Sequence, residues 1–165
     1  MEGLLIETIF QPILNRTEEF LLVDMGIDIL SCKKMSSNLR KVILKQNTTI
    51  IGIGGNVKFM IAVSYDDKLL SRLTTIFLEG EEFLNSEKDE LFESVSMEIA
   101  NTVIGNALKN PFDNSLLTLT PPIYVHEARS LSRNIHNKIL DAMIHTEYGD
   151  LAIYAIYPDT LEDFQ

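Results

Sequence analysis

The chain has 165 residues, 45% of them hydrophobic, and a formal charge of −10 from 24 acidic and 14 basic side chains. That length suits one domain with a sizeable core, so residues 1–165 are read as a single domain. An acidic surface repels phosphate backbones and excludes nucleic acid as a natural partner, and no apolar run approaches the roughly 20 residues that span a bilayer.

The first residues, Met1-Glu2-Gly3-Leu4-Leu5, carry an acid where a signal peptide carries bases. The lone cysteine, Cys32, has no disulfide partner within the chain, so nothing requires an oxidising compartment and a cytoplasmic location is expected. Residues 4–24 place Leu5, Ile9, Ile13, Leu14, Phe20 and Leu21 at helical spacing, with Pro12 expected to kink the helix or mark its start and Gly26 to end it. A strand is predicted over 27–32, and a polar stretch at 36–41 leads to strands 48–53 and 57–64, turned by Gly54-Gly55-Asn56. Asp66 or Asp67 caps a second helix with Leu69, Leu70, Leu73, Ile76 and Phe77 on one face.

Glu79-Gly80-Glu81-Glu82 interrupts this pattern, and Ser86 opens the longest helix, which runs to Leu108 and stops at Asn110-Pro111. Strands at 116–119 and 123–126 flank Pro121-Pro122, a polar loop covers 127–137, and a closing hairpin joins 138–146 to 151–157 through Tyr148-Gly149-Asp150. The order is helix, three strands, two helices, four strands. It predicts an α+β fold of two layers, a largely antiparallel sheet with the long helices packed on one face.

On the long helix, an advance of about 100° per residue gathers Leu91, Phe92, Val95, Ile99 and Val103 on a core side. Ser94, Glu98, Asn101 and Gly105 fall within an arc of roughly 60° on the opposite side. Glu98 and Asn101 are surface neighbours at i, i+3. A glycine within a helix costs about 1 kcal/mol against alanine, so Gly105 suits a place where another backbone comes close. The stripe therefore reads as a contact surface with a polar reaching pair. An ordinary solvated face has the same residue types, and Glu-x-x-Asn recurs at Glu82 and Asn85, where Asn85 or Ser86 serves as a cap.

The segment Glu98-Ile99-Ala100-Asn101-Thr102-Val103-Ile104-Gly105-Asn106-Ala107, with Ser94 one turn before it, resembles the CheX/CheC/FliY family of chemotaxis phosphatases, and most closely its CheX-like branch. Gly55-Asn56-Val57-Lys58 before an apolar strand, Pro121-Pro122 after the long helix and Glu147-Tyr148-Gly149 in the last hairpin extend the resemblance over residues 4–157. Pro12 and residues 127–137 depart from the pattern. CheC-like members carry two Glu-x-x-Asn motifs, whereas the first helix here offers only Gln11 and Asn15, so one active face per chain is expected.

The resemblance implies an activity: docking of the long helix over the aspartyl phosphate of a CheY-type response regulator. It implies that Asn101 positions the hydrolytic water, that Glu98 pairs with the regulator's lysine, and that Ser94 and Gly105 line the docking face. Mg2+ is expected in the partner regulator and no cofactor or metal in this chain; a homodimer is expected too. The competing reading is a non-catalytic CheX-like dimeric module that binds regulators or other signalling proteins. A third, a small-molecule sensor, requires a pocket between sheet and helices.

Other signals are read as structural. Gly52-Ile53-Gly54-Gly55 lacks the Gly-Lys-Ser/Thr of a phosphate loop and fits a hairpin turn. His126, His136 and His145 lack metal-ligand spacing. Cys32 is assigned to the core, Asn106 to a buried hydrogen bond, Tyr148, Tyr154 and Tyr157 to sheet packing, and Arg129 and Arg133 to a solvated loop.

Overall fold

The computed structural model describes residues 3–37, 41–55, 58–109, 117–127, 129–132 and 137–158. Asn56, Asn110-Pro111, Arg133 and His136, on which parts of the sequence reading fall, lie outside them.

The first helix, α1 (Gly3–Glu19), buries Ile9, Phe10, Ile13 and Leu14 along one side. Pro12 sits inside it and does not mark its start. A proline removes one i→i−4 bond, and the apolar burial on either side of it holds the helix through that loss. The chain then widens into a π-helical turn, Phe20–Asp24, with Met25 N–H donating to Phe20 O at 2.9 Å. Gly26 ends the turn at φ +63°, the left-handed conformation glycine adopts without strain, as the sequence predicts.

The strands are β1 (Ile29–Ser37), β2 (Lys41–Ile43), β3 (Asn47–Gly55), β4 (Phe59–Tyr65), β5 (Leu117–Leu119), β6 (Ile123–His126), β7 (Ser130–Ser132), β8 (Asn137–Thr146) and β9 (Gly149–Pro158). Between β4 and β5 run α2 (Asp67–Phe77) and α3 (Lys88–Ala107). Seven strands form one antiparallel sheet in the order β1-β8-β9-β4-β3-β5, with β6 also bonded to β3. Thus β5 and β6 share one edge of β3, opposite Ile53–Gly55 and Asn47–Ile50 respectively.

The kink between β5 and β6 explains the glycines of β3. Thr120 Oγ1 accepts from Gly52 N–H at 2.8 Å, and a Cβ on Gly52 would lie 3.0 Å from the Thr120 side chain. Gly52 lies within the strand, as the range 48–53 predicts, and Gly54 and Gly55, which the sequence reading put in the turn, are strand residues as well. The other departure is an additional ribbon, β2 paired with β7, with Val42 opposite Leu131. Three residues are too few to display a period of two, so residues 36–41 and 127–137 read as merely polar.

Alternation along the strands makes two apolar faces. The row Ile51, Ile61, Ala155, Leu140 crosses the sheet in register, at most 4% exposed, and joins α1, α2 and α3 in the main core. On the reverse face, Ala62, Ala152, Tyr154 and Ile156 cluster with Val42 and Leu44, so the ribbon covers part of that side. All three helices lie on the first face, the predicted α+β arrangement. No described helix is long and apolar enough to cross a membrane.

The orientation of α3 can be tested by two substitutions two residues apart. Phe92 is fully buried, and Phe92→Ala is expected to lower unfolding free energy by about 3–5 kcal/mol in denaturant titration. Ser94 is exposed, and Ser94→Ala is expected to change it by less than about 0.5 kcal/mol.

Candidate functional site

Position of the candidate site depends on how α3 begins. After α2, Glu79 and Gly80 take left-handed conformations at φ 57° and 87°, turning the chain back. A single 3₁₀ turn, Asn85–Glu87, precedes α3, and the Glu87 carboxylate accepts from Leu84 N–H at 3.0 Å. Neither Asn85 nor Ser86 caps α3: Glu87 stands at the N-cap position, and its side chain turns back to Leu84 instead of bonding into the helix. Glu82 and Asn85 are exposed and precede α3, so this second Glu-x-x-Asn does not share a helical face.

The first residue of α3 is anchored twice. Lys88 Nζ donates to Asp67 Oδ2 at 2.6 Å and lies 5.2 Å from the Phe92 ring centroid. Asp67 Oδ1 accepts from the fully buried Asn47 at 3.2 Å, and Asn47 Oδ1 accepts from Tyr124 OH at 2.7 Å. Burial, with Asp89, Asp67 and Glu93 nearby, pushes the Tyr124 phenol up to about 12, so it remains a neutral donor. This chain of contacts runs from β6 through β3 and α2 to α3. Sequence periodicity carries no trace of it, since its members come from four elements.

Along α3, Phe92, Val95, Ser96, Ile99, Ala100, Val103, Ile104 and Ala107 are buried, and the helix packs on α1, α2, β3 and β6. Ser94, Glu98 and Asn101 are exposed and Gly105 half-exposed, so all four predicted stripe residues share the outward face. Leu91, assigned to the core, is half-buried at the margin. Asn106, assigned to a buried hydrogen bond, is exposed: in the last turn the core side narrows to Val103, Ile104 and Ala107.

Glu98 Oε1 accepts from Thr102 Oγ1 at 3.3 Å, and the Asn101 side-chain amide has no hydrogen-bond partner among the described residues. A Cβ built on Gly105 meets nothing within 4 Å, so no contact among the described residues demands glycine there. The face thus presents a neutral amide with a free donor and acceptor, a carboxylate one turn away and a bare stretch of backbone. None of these is a nucleophile or, among the described residues, part of a cluster of three metal-ligating side chains.

The remaining candidates keep structural roles, with one correction. Cys32, assigned to the core, is exposed on the edge strand β1; partial desolvation and the adjacent Glu18 push its thiol up to about 11. His145 Nδ1 lies 2.7 Å from Asp150 Oδ1 beside the last turn, and Arg72 stacks over Tyr148 at 5.3 Å. Arg129, on the described part of the predicted loop, is exposed, and its carbonyl oxygen accepts from Leu44 N–H at 3.0 Å. The void between sheet and helices, lined by Ile13, Tyr65, Ile99 and Val103, is about 10 Å³. A ligand pocket occupies roughly 300–1,000 Å³, so this space does not serve a small-molecule sensor.

Comparison with known proteins bears on the fold and the family. Residues 47–139, more than half the chain and including all of α3, match the family model for the chemotaxis phosphatase CheX. Among solved structures, the CheX of Desulfovibrio desulfuricans is similar over 89% of this chain and 97% of its own, at TM-score 0.74 and 13% identity. The CheX–CheY–BeF3–Mg2+ complex from Borrelia burgdorferi contains a chain similar over 90% of this one and 96% of its own, at TM-score 0.69 and 16% identity. FliY of Thermotoga maritima is similar over 98% of this chain and 92% of its own, at TM-score 0.56 and 14% identity. Comparison with curated proteins finds no match. With the family model matched across residues 47–139 and the fold in agreement, the chain belongs to the CheX family of chemotaxis phosphatases.

Proposed function

We propose that this chain hydrolyses the aspartyl phosphate of a CheY-type response regulator, with the outer face of α3 laid over the regulator's active site. The observation that carries this reading is the exposed Asn101 amide, without a partner among the described residues and held beside Glu98 on a helix whose other side is locked in the core. The Borrelia burgdorferi relative, in complex with CheY, BeF3 and Mg2+, supports a partner of this class.

In this mechanism Asn101 accepts a hydrogen bond from water through Oδ1 and aligns it opposite the scissile P–O bond. Water oxygen attacks phosphorus, the bond to the aspartyl oxygen breaks, and phosphate and a free carboxylate result. A neutral amide suits the place, because a carboxylate would face the phosphoryl oxygens and be repelled. Mg2+, held by the regulator, supplies charge neutralisation on the phosphoryl group. Glu98 pairs with the regulator's lysine and fixes docking register, a contribution to orientation more than to net affinity. Ser94 and Gly105 keep the surface low, so that the regulator's backbone can approach. The rate gain comes from ordering water, which is the effect of holding reactants in line.

The reading includes a second copy of the chain, because β1 is bonded only to β8 and its outer edge has no strand partner among the described residues. Light scattering is expected to give twice the 18.7 kDa chain mass; the chain mass itself would remove the dimer from the account.

Asn101→Ala is expected to slow dephosphorylation of a CheY-type regulator by about 10²-fold or more while leaving the affinity for it unchanged. Equal loss of binding and turnover would assign Asn101 to docking, and full activity would favour the non-catalytic module. Gly105→Ala separates stability from recognition. It is expected to raise unfolding free energy by about 1 kcal/mol, since nothing crowds the new methyl group, yet to weaken binding of the regulator. Unchanged binding would show that no partner approaches there.

A further inference from the structure

We infer that Thr102 is a positioning residue for Glu98, holding its carboxylate ready for the cation that docks on it. The inference rests on the phosphatase reading for what the carboxylate meets, but on this chain alone for how it is held.

A threonine within a helix ordinarily turns its hydroxyl back to the carbonyl four residues earlier. Thr17 donates to Ile13 O at 2.7 Å, Thr74 to Leu70 O at 2.8 Å and Thr75 to Ser71 O at 3.1 Å. Thr102 departs from this pattern. Its hydroxyl donates to the Glu98 side chain, Oε1, at 3.3 Å. The other carboxylate oxygen, Oε2, has no partner among the described residues and remains open to an incoming ammonium group.

The two side chains differ in stiffness. Thr102 is β-branched, half-buried and two turns beyond the buried Val95, so it stands at the border between core and stripe with few rotamers open to it. Glu98 is exposed and has three free torsions, and ordering such a chain at the moment of docking opposes binding. A hydrogen bond from the stiff residue removes part of that disorder beforehand. The same bond draws the carboxylate one turn along the helix to Thr102, beside the exposed stripe.

Two measurements on the whole chain test this. With a phosphorylated CheY-type regulator and Mg2+, Thr102→Val is expected to raise the half-saturating regulator concentration about threefold to tenfold, with the maximal rate nearly unchanged. Thr102→Ser, which keeps the hydroxyl, is expected to restore it. In a Glu98→Gln background the valine substitution is expected to have a smaller effect, because the acceptor's charge is gone. Half-saturation in Thr102→Val equal to that of the natural chain would overturn the inference. The second measurement needs no regulator: carbon relaxation of the Glu98 side chain, expected to be restricted in the natural chain and in Thr102→Ser and averaged in Thr102→Val. Identical mobility in all three overturns the positioning role whatever the activity, whereas restricted mobility in a chain that accelerates no dephosphorylation overturns the phosphatase reading alone.

Discussion

Phe92, Val95, Ile99, Val103 and Ile104 leave water on one side of α3, and helical geometry then sends Ser94, Glu98, Asn101 and Gly105 the other way. The two sets cannot be moved independently, because a rotation that exposed the polar stripe less would expose the apolar stripe more. Each large apolar side chain that would be lost to water represents about 1.5–3 kcal/mol, so the orientation is held far more firmly than any surface contact could hold it. Lys88, clamped to Asp67, fixes where the helix begins and so its position along the sheet. Asn101 and Glu98 inherit that rigidity while remaining in solvent.

That arrangement suits chemistry in which the protein supplies geometry and little else. A water-positioning amide gains from being held on an element that does not rearrange when a partner arrives. It also gains from having no partner of its own, since an amide committed to an internal hydrogen bond would have to break it first. Gly105 shows the same economy: the helix tolerates a residue that weakens it, and no described residue fills the space above it. On the proposed reading, the acidic surface would steer a cation-bearing partner face in a salt-dependent way.

The parts of this account visible in the amino-acid sequence are those that repeat. The 3.6-residue period separated the two sides of α3 well enough to place Ser94, Glu98, Asn101 and Gly105 together, and the branched residues of β3, β4, β8 and β9 announced two hairpins. Features arising from contacts between distant segments were not visible. The β2–β7 ribbon forms from two three-residue pieces far apart in the chain, and only pairing makes them strands. Gly54 looked like a turn because its real cause, Thr118 of the strand crossing beside it, lies more than sixty residues away. Cys32 was placed in the core because a strand residue of its type is usually buried, but β1 is an edge strand and Cys32 stays exposed there beside Glu18 of α1. Asn106 was misplaced for a related reason: an angular position says nothing about where along the helix the cover stops.

The most direct measurement is a structure of this chain bound to a CheY-type regulator carrying beryllofluoride, whose fluorines stand for the phosphoryl oxygens, and Mg2+. The account predicts α3 across the regulator's active site, with the Asn101 amide within hydrogen-bonding reach of the position in line with the aspartyl oxygen and Glu98 against a lysine. A regulator seated on any other face, with Asn101 still in solvent, would contradict it.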